Sequence, residues 1–264
     1  MRSSARIFAA SWLGLVAIVA STTFAQRGVP SSTTTGTPAD VTSRIVASAH
    51  AVLKSLDDAG RAKVQFPFEG PQQTRWSNLP TGIFARQGLR MGDLTPAQRT
   101  AVKDLLTVAL SRDGYRKVTD IMRGDEVLRT GQQSGGARGT PPGGGRGGGG
   151  RGGPAFGEDE YYLAFLGTPS ASTPWLLQFG GHHLAINLTL AGSQGTMAPS
   201  LPAAQPASYT VEGRDVRPLG QENDKAFALI NALNAEQRSQ AILSYRVADL
   251  VLGQIGRASC RERV

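Results

Sequence analysis

The sequence predicts an α+β fold, with N-terminal and C-terminal helices around a small antiparallel sheet. Three observations predict it. Apolar residues recur at helical spacing between 38 and 123, short β-rich runs bounded by turn residues fill 161–190, and helical spacing returns over 222–250. Helices, then strands, then helices in one chain argue for segregated layers rather than an alternating α/β order.

The first helix starts at Thr37, a good N-cap, with Pro38 at the first helical position. Val41, Ile45, Val52, Leu53 and Leu56 share one face, so 38–60 reads as amphipathic. Phe66-Pro67-Phe68 and Arg75-Trp76 then fall in a loop rich in Pro and Gly. Thr95-Pro96-Ala97-Gln98 has the form of a capping box, and Val102, Leu105, Leu106, Ala109 and Leu110 make the buried stripe behind it. A helix from about Asp113 to Arg123 follows, with Tyr115, Val118, Ile121 and Met122 on one face, and a short piece from Asp125 to Leu128 closes the block.

Residues 131–157 hold 14 of the chain's 33 glycines together with Arg138, Arg146 and Arg151. That composition cannot offset its own ordering entropy, which predicts a flexible insertion. Strand character begins after it: Tyr161–Leu166, Trp175–Phe179 and His182–Leu190, with Gly167–Ser170, Gly180-Gly181 and Gly192-Ser193 read as turns. Met197–Tyr209 is Pro/Ala-rich and reads as irregular. Residues 222–233 form a helix, Asn234 caps the next with Gln237 three residues on, and Ala241, Ile242, Tyr245 and Leu250 continue it.

The two ends fall outside this domain. Arg2 and Arg6, the apolar run Ile7–Ala20 and the small residues of Thr23-Phe24-Ala25 have the form of a secretory signal cleaved after Ala25. As a helix the run spans about 21 Å, short of a ~30 Å hydrocarbon core, so no stable membrane anchor is expected after cleavage. The chain is therefore read as secreted or periplasmic. Residues 26–37 form a Ser/Thr-rich spacer, and 38–254 a single domain. Ile255–Val264 carries no apolar period and no cap, and it spells an in-frame translation of a widely used short-read sequencing adapter. On that reading it is an artefact, Cys260 is not biological, and the domain is incomplete at its C-terminus. Poor solubility is then expected, because an edge and an apolar face are left bare.

The net charge of +8 points toward an anionic partner until it is apportioned. Removing the leader's Arg2 and Arg6 and the tail's Arg257, Arg261, Glu262 and Arg263 leaves +4; Arg138, Arg146 and Arg151 carry +3 of that, and the folded part sits near +1. With no stacking aromatics among the Arg-Gly residues except Phe156, no nucleic-acid partner is expected.

Several stretches together resemble a known family. They are Phe66-Pro67-Phe68 with Arg75-Trp76, the helix start Leu94-Thr-Pro-Ala-Gln-Arg99, Ser111-x-x-Gly114-Tyr115, and Tyr161-Tyr162…Phe165-x-Gly167-Thr-Pro-Ser170. Trp175…Phe179-x-Gly181-His182-His183-Leu184-x-x-Asn187 is the most specific of them. The chain resembles, over roughly 38–254, the bacterial domain of unknown function 3500 family. The resemblance implies a boundary and a motif but no activity, and it implies that a further C-terminal part with more His, Arg and Asp belongs to the family.

His182-His183 is the strongest chemical lead, as metal ligand or general acid/base, against a structural histidine beside a strand. In a straight strand the two point to opposite faces. His183 shares its face with Asn187, about 13 Å along at ~3.3 Å per residue, too far to hold one metal together. His182, His183 and Asn187 are thus the candidate catalytic residues. Arg75 and Trp76 are the candidate substrate-binding pair, against a buried Trp beside a surface Arg. Glu158, Asp159 and Glu160 read as a solvated charge run, and His50 as a structural helix residue. No nucleophile elbow, phosphate loop or His-Glu-x-x-His is present. No cofactor is named by the sequence. Two functions stay open: an extracytoplasmic metal-assisted or His-dependent hydrolase, and a non-catalytic binding or structural module.

Overall fold

The computed structural model describes residues 37–134 and 153–244, all within one compact unit. The leader, most of the Ser/Thr spacer, the centre of the Gly/Arg segment, Tyr245, Leu250 and the 255–264 tail lie outside the described residues.

Helix α1 (Pro38–Ser55) begins as its cap dictates: the Thr37 side chain accepts from Asp40 N–H while Asp40 reaches back to the Thr37 backbone. It stops at Leu56, and Asp57 caps a separate α2 (Asp58–Val64) by accepting from Gly60 N–H at 2.7 Å. The one helix expected over 38–60 is therefore two, because Asp57 supplies a new N-terminus where the first ends. Helix α3 (Pro96–Ala109) carries the Thr95/Gln98 capping box, and Gln98 also donates to Ser55 O, closing the C-terminus of α1. Helix α4 (Arg112–Ser134) runs straight through the break expected near Arg123. Its buried stripe of Val118, Ile121 and Met122 continues into Asp125, so packing holds the helix together where local composition would end it. The fold is thus built into both ends of the 131–157 segment: α4 reaches Ser134, and Ala155 pairs with Thr81.

The sheet is larger than expected, and mixed. Strands β1 (Gln65–Phe66), β3 (Tyr162–Leu166), β4 (Trp175–Gly181), β5 (Leu184–Ala191) and β6 (Gln194–Pro202) lie in that order, with β2 (Leu89–Arg90) also on β3. Only β1 runs parallel to β3. A separate hairpin joins β7 (Tyr209–Val211) and β8 (Arg214–Val216). While 203–208 form neither helix nor strand, β6 takes 197–202 of the stretch expected to be irregular. Its side chains are almost all exposed, so it leaves no alternating pattern, and its backbone pairs along the edge of β5, where Pro is tolerated.

One face of the sheet, with Leu163, Phe165, Trp175, Leu177, Phe179, Ile186 and Leu188, packs in a single cluster with Ile45, Val52, Val102, Leu105, Val118 and Ile121 of α1, α3 and α4. The other face carries Ala164, Leu166 and Leu176 under Phe66 and Phe68. No described helix is long and apolar enough to cross a membrane.

Helices α5 (Gly220–Ala232) and α6 (Ala235–Ala241) have no buried residue among those described, and Lys117 of α4 forms an ion pair with Glu222 of α5. Phe227 and Leu229 are 61% and 65% exposed. Large apolar side chains left exposed on a helix with no buried residue favour self-association. Phe227→Glu combined with Leu229→Glu is expected to shift the light-scattering mass toward the monomer; an unchanged distribution counts against this.

Candidate functional site

The two histidines are not in a strand. Gly181 pairs with Leu184, so His182 and His183 are the two turn residues of the β4–β5 hairpin. The glycines before them serve close packing rather than the turn itself. A Cβ on Gly180 would lie 2.5 Å from Leu184 O, and one on Gly181 would lie 2.6 Å from the Tyr161 ring. His183 takes the turn's left-handed backbone at φ 61°, a conformation uncommon outside Gly that Asn, Asp and His adopt more readily than other residues. The alternation expected of a strand therefore does not apply: the two imidazoles lie beside each other, centroids 3.9 Å apart and tilted by 36°.

Four segments converge on this tip. From α4, Asp125 Oδ1 lies 2.7 Å from His182 Nδ1, with the side chains 2% and 6% exposed. An ionised carboxylate only accepts, so Nδ1 carries the hydrogen. Asp125 Oδ2 accepts from Gly157 N–H at 3.1 Å, and the Phe156 ring meets His182 edge-on at 4.9 Å. The 77–86 loop contributes Asn78 O, which accepts from His183 N–H, and Arg86, which donates to Gly181 O at 2.8 Å. From beyond β6, Ala203 N–H donates to His183 O, and Gln205 Oε1 lies 2.9 Å from His183 Nε2. Tyr161, fully buried, donates its hydroxyl to His182 O, and burial first and foremost holds that phenol well above its usual range. Among the described residues His182 Nε2 makes no hydrogen bond.

Burial, followed by the nearby His182, holds His183 below the ordinary histidine value, against the opposing pull of Gln205. The unfolded chain takes up this proton near pH ~6.5 while the folded one resists it, so stability is full above ~6.5 and falls as pH drops toward the folded value, by at most ~1.4 kcal/mol per pH unit. His183→Asn, which accepts the turn conformation, is expected to flatten the pH dependence of the urea midpoint below pH ~6.5 relative to the native chain. Equal slopes sink the assignment.

The other candidates are placed apart from this pair. Asn187 is 1% exposed, accepts from Gln178 Nε2 at 2.9 Å and donates to Pro199 O at 2.8 Å, where the β5–β6 register shifts. Both ends of its amide are used in holding β4, β5 and β6 together, and no contact joins it to either histidine. Arg75 and Trp76 line a shallow cleft over the second face of the sheet, with room for about one water molecule. Arg86, Gln87, Tyr162 and Gln178 line it with them. Arg75 does not stack on Trp76; its guanidinium lies 6.0 Å from the Phe84 ring.

The 158–160 run is not simply solvated. Glu160 is 11% exposed and paired with Arg90 at 2.5 Å, and Asp159 pairs with Arg99 at 2.7 Å. Glu160 is the leading cause that raises Arg90 above its ordinary value. Among the described residues, no group of three or more His, Cys, Asp and Glu converges to hold a metal ion.

Sequence reasoning missed Asp125, Arg86, Phe156 and Gln205. Asp125 had a signal: it falls on the apolar stripe of Val118, Ile121 and Met122, where a carboxylate needs a partner. The other three are loop residues with no periodic context.

A family model described as "Protein of unknown function (DUF3500)" matches residues 38–262. No curated protein and no solved structure matches the chain.

Proposed function

We propose that this chain, which belongs to the DUF3500 family, is an extracytoplasmic His-dependent hydrolase in which His182 acts as general base and Asp125 orients it. One observation carries the reading: Asp125 fixes His182 Nδ1–H at 2.7 Å, leaving Nε2 unbonded among the described residues. That tautomer presents a lone pair able to take a proton from water as its oxygen attacks an electrophilic centre, and to return it to the leaving group. Asp125 would stabilise the imidazolium formed in between. The test is hydrolysis of a panel of chromogenic esters, amides and phosphoesters. His182→Gln is expected to lower kcat by about 10²–10⁴ with the circular dichroism unchanged. An equal rate in the folded variant overturns the reading.

The extracytoplasmic part rests on Arg2, Arg6, the apolar run Ile7–Ala20 and the small residues before Gln26. Expression of the full chain in a Gram-negative host is expected to yield a periplasmic product whose first residue by mass spectrometry is Gln26. A cytoplasmic product that retains Met1 or Arg2 counts against it.

A second reading, a non-catalytic binding or structural module, is favoured by the burial of the pair. His182 is 6% exposed and covered by Phe156, so the contact would serve as a clasp between α4 and the β4–β5 hairpin. On that reading His182→Gln costs stability and changes no rate.

A further inference from the structure

We infer that residues 153–156 form a lid over His182, hinged at Gly157, and that its opening controls access to the imidazole. The inference rests on the reading of His182 as a base, which has to meet water and substrate to act. Phe156 meets the His182 ring edge-on at 4.9 Å and is itself half-buried, so it forms an outer layer between the buried imidazole and solvent. The other neighbours of His182 are fixed. His183 has its N–H on Asn78 O, its carbonyl on Ala203 N–H and its ring on Gln205. Asp125 belongs to α4, and Tyr161 is fully buried with its hydroxyl on His182 O. Phe156 is the cover that can leave.

The chain is held very differently on the two sides of Gly157. After it, Glu158 N–H donates to Glu126 Oε2 at 3.4 Å, Asp159 pairs with Arg99 and Glu160 with Arg90. Before it, among the described residues, one hydrogen bond ties 153–156 to the body, from Ala155 N–H to Thr81 O at 2.7 Å. Gly153 and Pro154 are exposed, and Pro154 has no N–H to give. Gly157 has φ 115°, a backbone region that glycine alone enters freely, and a Cβ there would lie 2.7 Å from Glu126 Oε2. A firm anchor, a glycine and a lightly tied segment in that order are the parts of a hinged flap. Closure is also coupled to the base: it sets Gly157 N–H on Asp125 Oδ2, while the other carboxylate oxygen holds His182.

The test uses the full chain and reads acylation of His182 by diethyl pyrocarbonate, with peptide fragmentation separating it from His183. The reagent takes an unprotonated imidazole nitrogen, the one that Asp125 leaves free. Phe156→Ala is expected to raise the His182 rate at least about fivefold. Thr81→Cys with Ala155→Cys, in a Cys260→Ser background, gives the opposite arm. These two residues are antiparallel partners, whose Cα atoms lie ~4.5–5.5 Å apart, within disulfide reach. The oxidised lock is expected to label at least about fivefold more slowly than its reduced form. In the native chain the rate is expected to stay flat up to about 1 M urea, because lid opening exposes little surface. Equal labelling of the native chain and Phe156→Ala, equal labelling of the oxidised and reduced lock, or a urea dependence as steep as global unfolding each overturns the inference. If one variant misfolds or the disulfide does not close, the remaining variant and the urea dependence decide. Labelling reads access without turnover. An unchanged rate in His182→Gln therefore sinks the hydrolase reading alone, and lid-independent labelling sinks the lid alone.

Discussion

Asp125→Ala is expected to lower the unfolding free energy by about 2–6 kcal/mol, because it strands two buried donors at once, each at ~1–3 kcal/mol. The Asp125 carboxylate accepts from His182 Nδ1–H through one oxygen and from Gly157 N–H through the other. At 1% exposure, little water can replace it. Asp125→Asn keeps one acceptor and is expected to cost about half as much. His182→Ala removes one of the donors, so adding it to Asp125→Ala should cost less than the sum of the singles. Urea midpoints of the four chains measure this coupling. If Asp125→Ala unfolds at the same midpoint as the native chain, the pair is not a clasp, and its geometry contributes nothing to the fold.

Trp175→Ala is expected to cost about 3–5 kcal/mol, as large-to-small core truncations of aromatics do. Trp175 is fully buried at the start of β4, pairs with Leu190 across β5 and meets Phe165 edge-on at 5.9 Å. Its indole N–H donates to Ser170 O at 3.1 Å, closing the 167–174 turn onto the strand. Alanine leaves both a cavity and an unpaired carbonyl. Trp175→Phe keeps most of the volume and is expected to cost under about half as much. Against a typical total stability of ~5–15 kcal/mol, the alanine change should move the urea midpoint by a large fraction of its value. A shift equal to that of Trp175→Phe would place the ring outside the core.

The same hairpin shows where reading the chain succeeds and where it stops. Turn chemistry at Gly180-Gly181 was legible as a break in the apolar pattern, but the break fell two residues early. The glycines are there so that β5 and Tyr161 can approach the backbone closely, and the histidines themselves turn the chain. That shift moves the two rings from opposite faces to mutual contact, which changes the chemistry available to them. The strand face expected to carry both His183 and Asn187 is lost for the same reason. Asn187 is in the sheet, four residues along, and its amide is spent on Gln178 and Pro199. Asp125 could have been found as a carboxylate on an apolar stripe; Arg86 could not, because a loop has no period against which a residue is out of place.

The sequence by itself determined what depends on near neighbours. The caps at Thr37, Thr95 and Asn234 form as read, since each side chain reaches a backbone N–H three residues on. The apolar stripes of α1, α3 and the first turns of α4 follow from period alone. The tertiary structure decided the rest. It made one helix of 112–134, turned an exposed Pro/Ala stretch into an edge strand, and brought Asp125 to a histidine 57 residues away and Arg86 to a carbonyl 95 residues away. A cap is a choice made within one turn of chain. A site held by contacts this distant exists only after the sheet and α4 have packed, because only their shared apolar core brings the polar groups within hydrogen-bond reach.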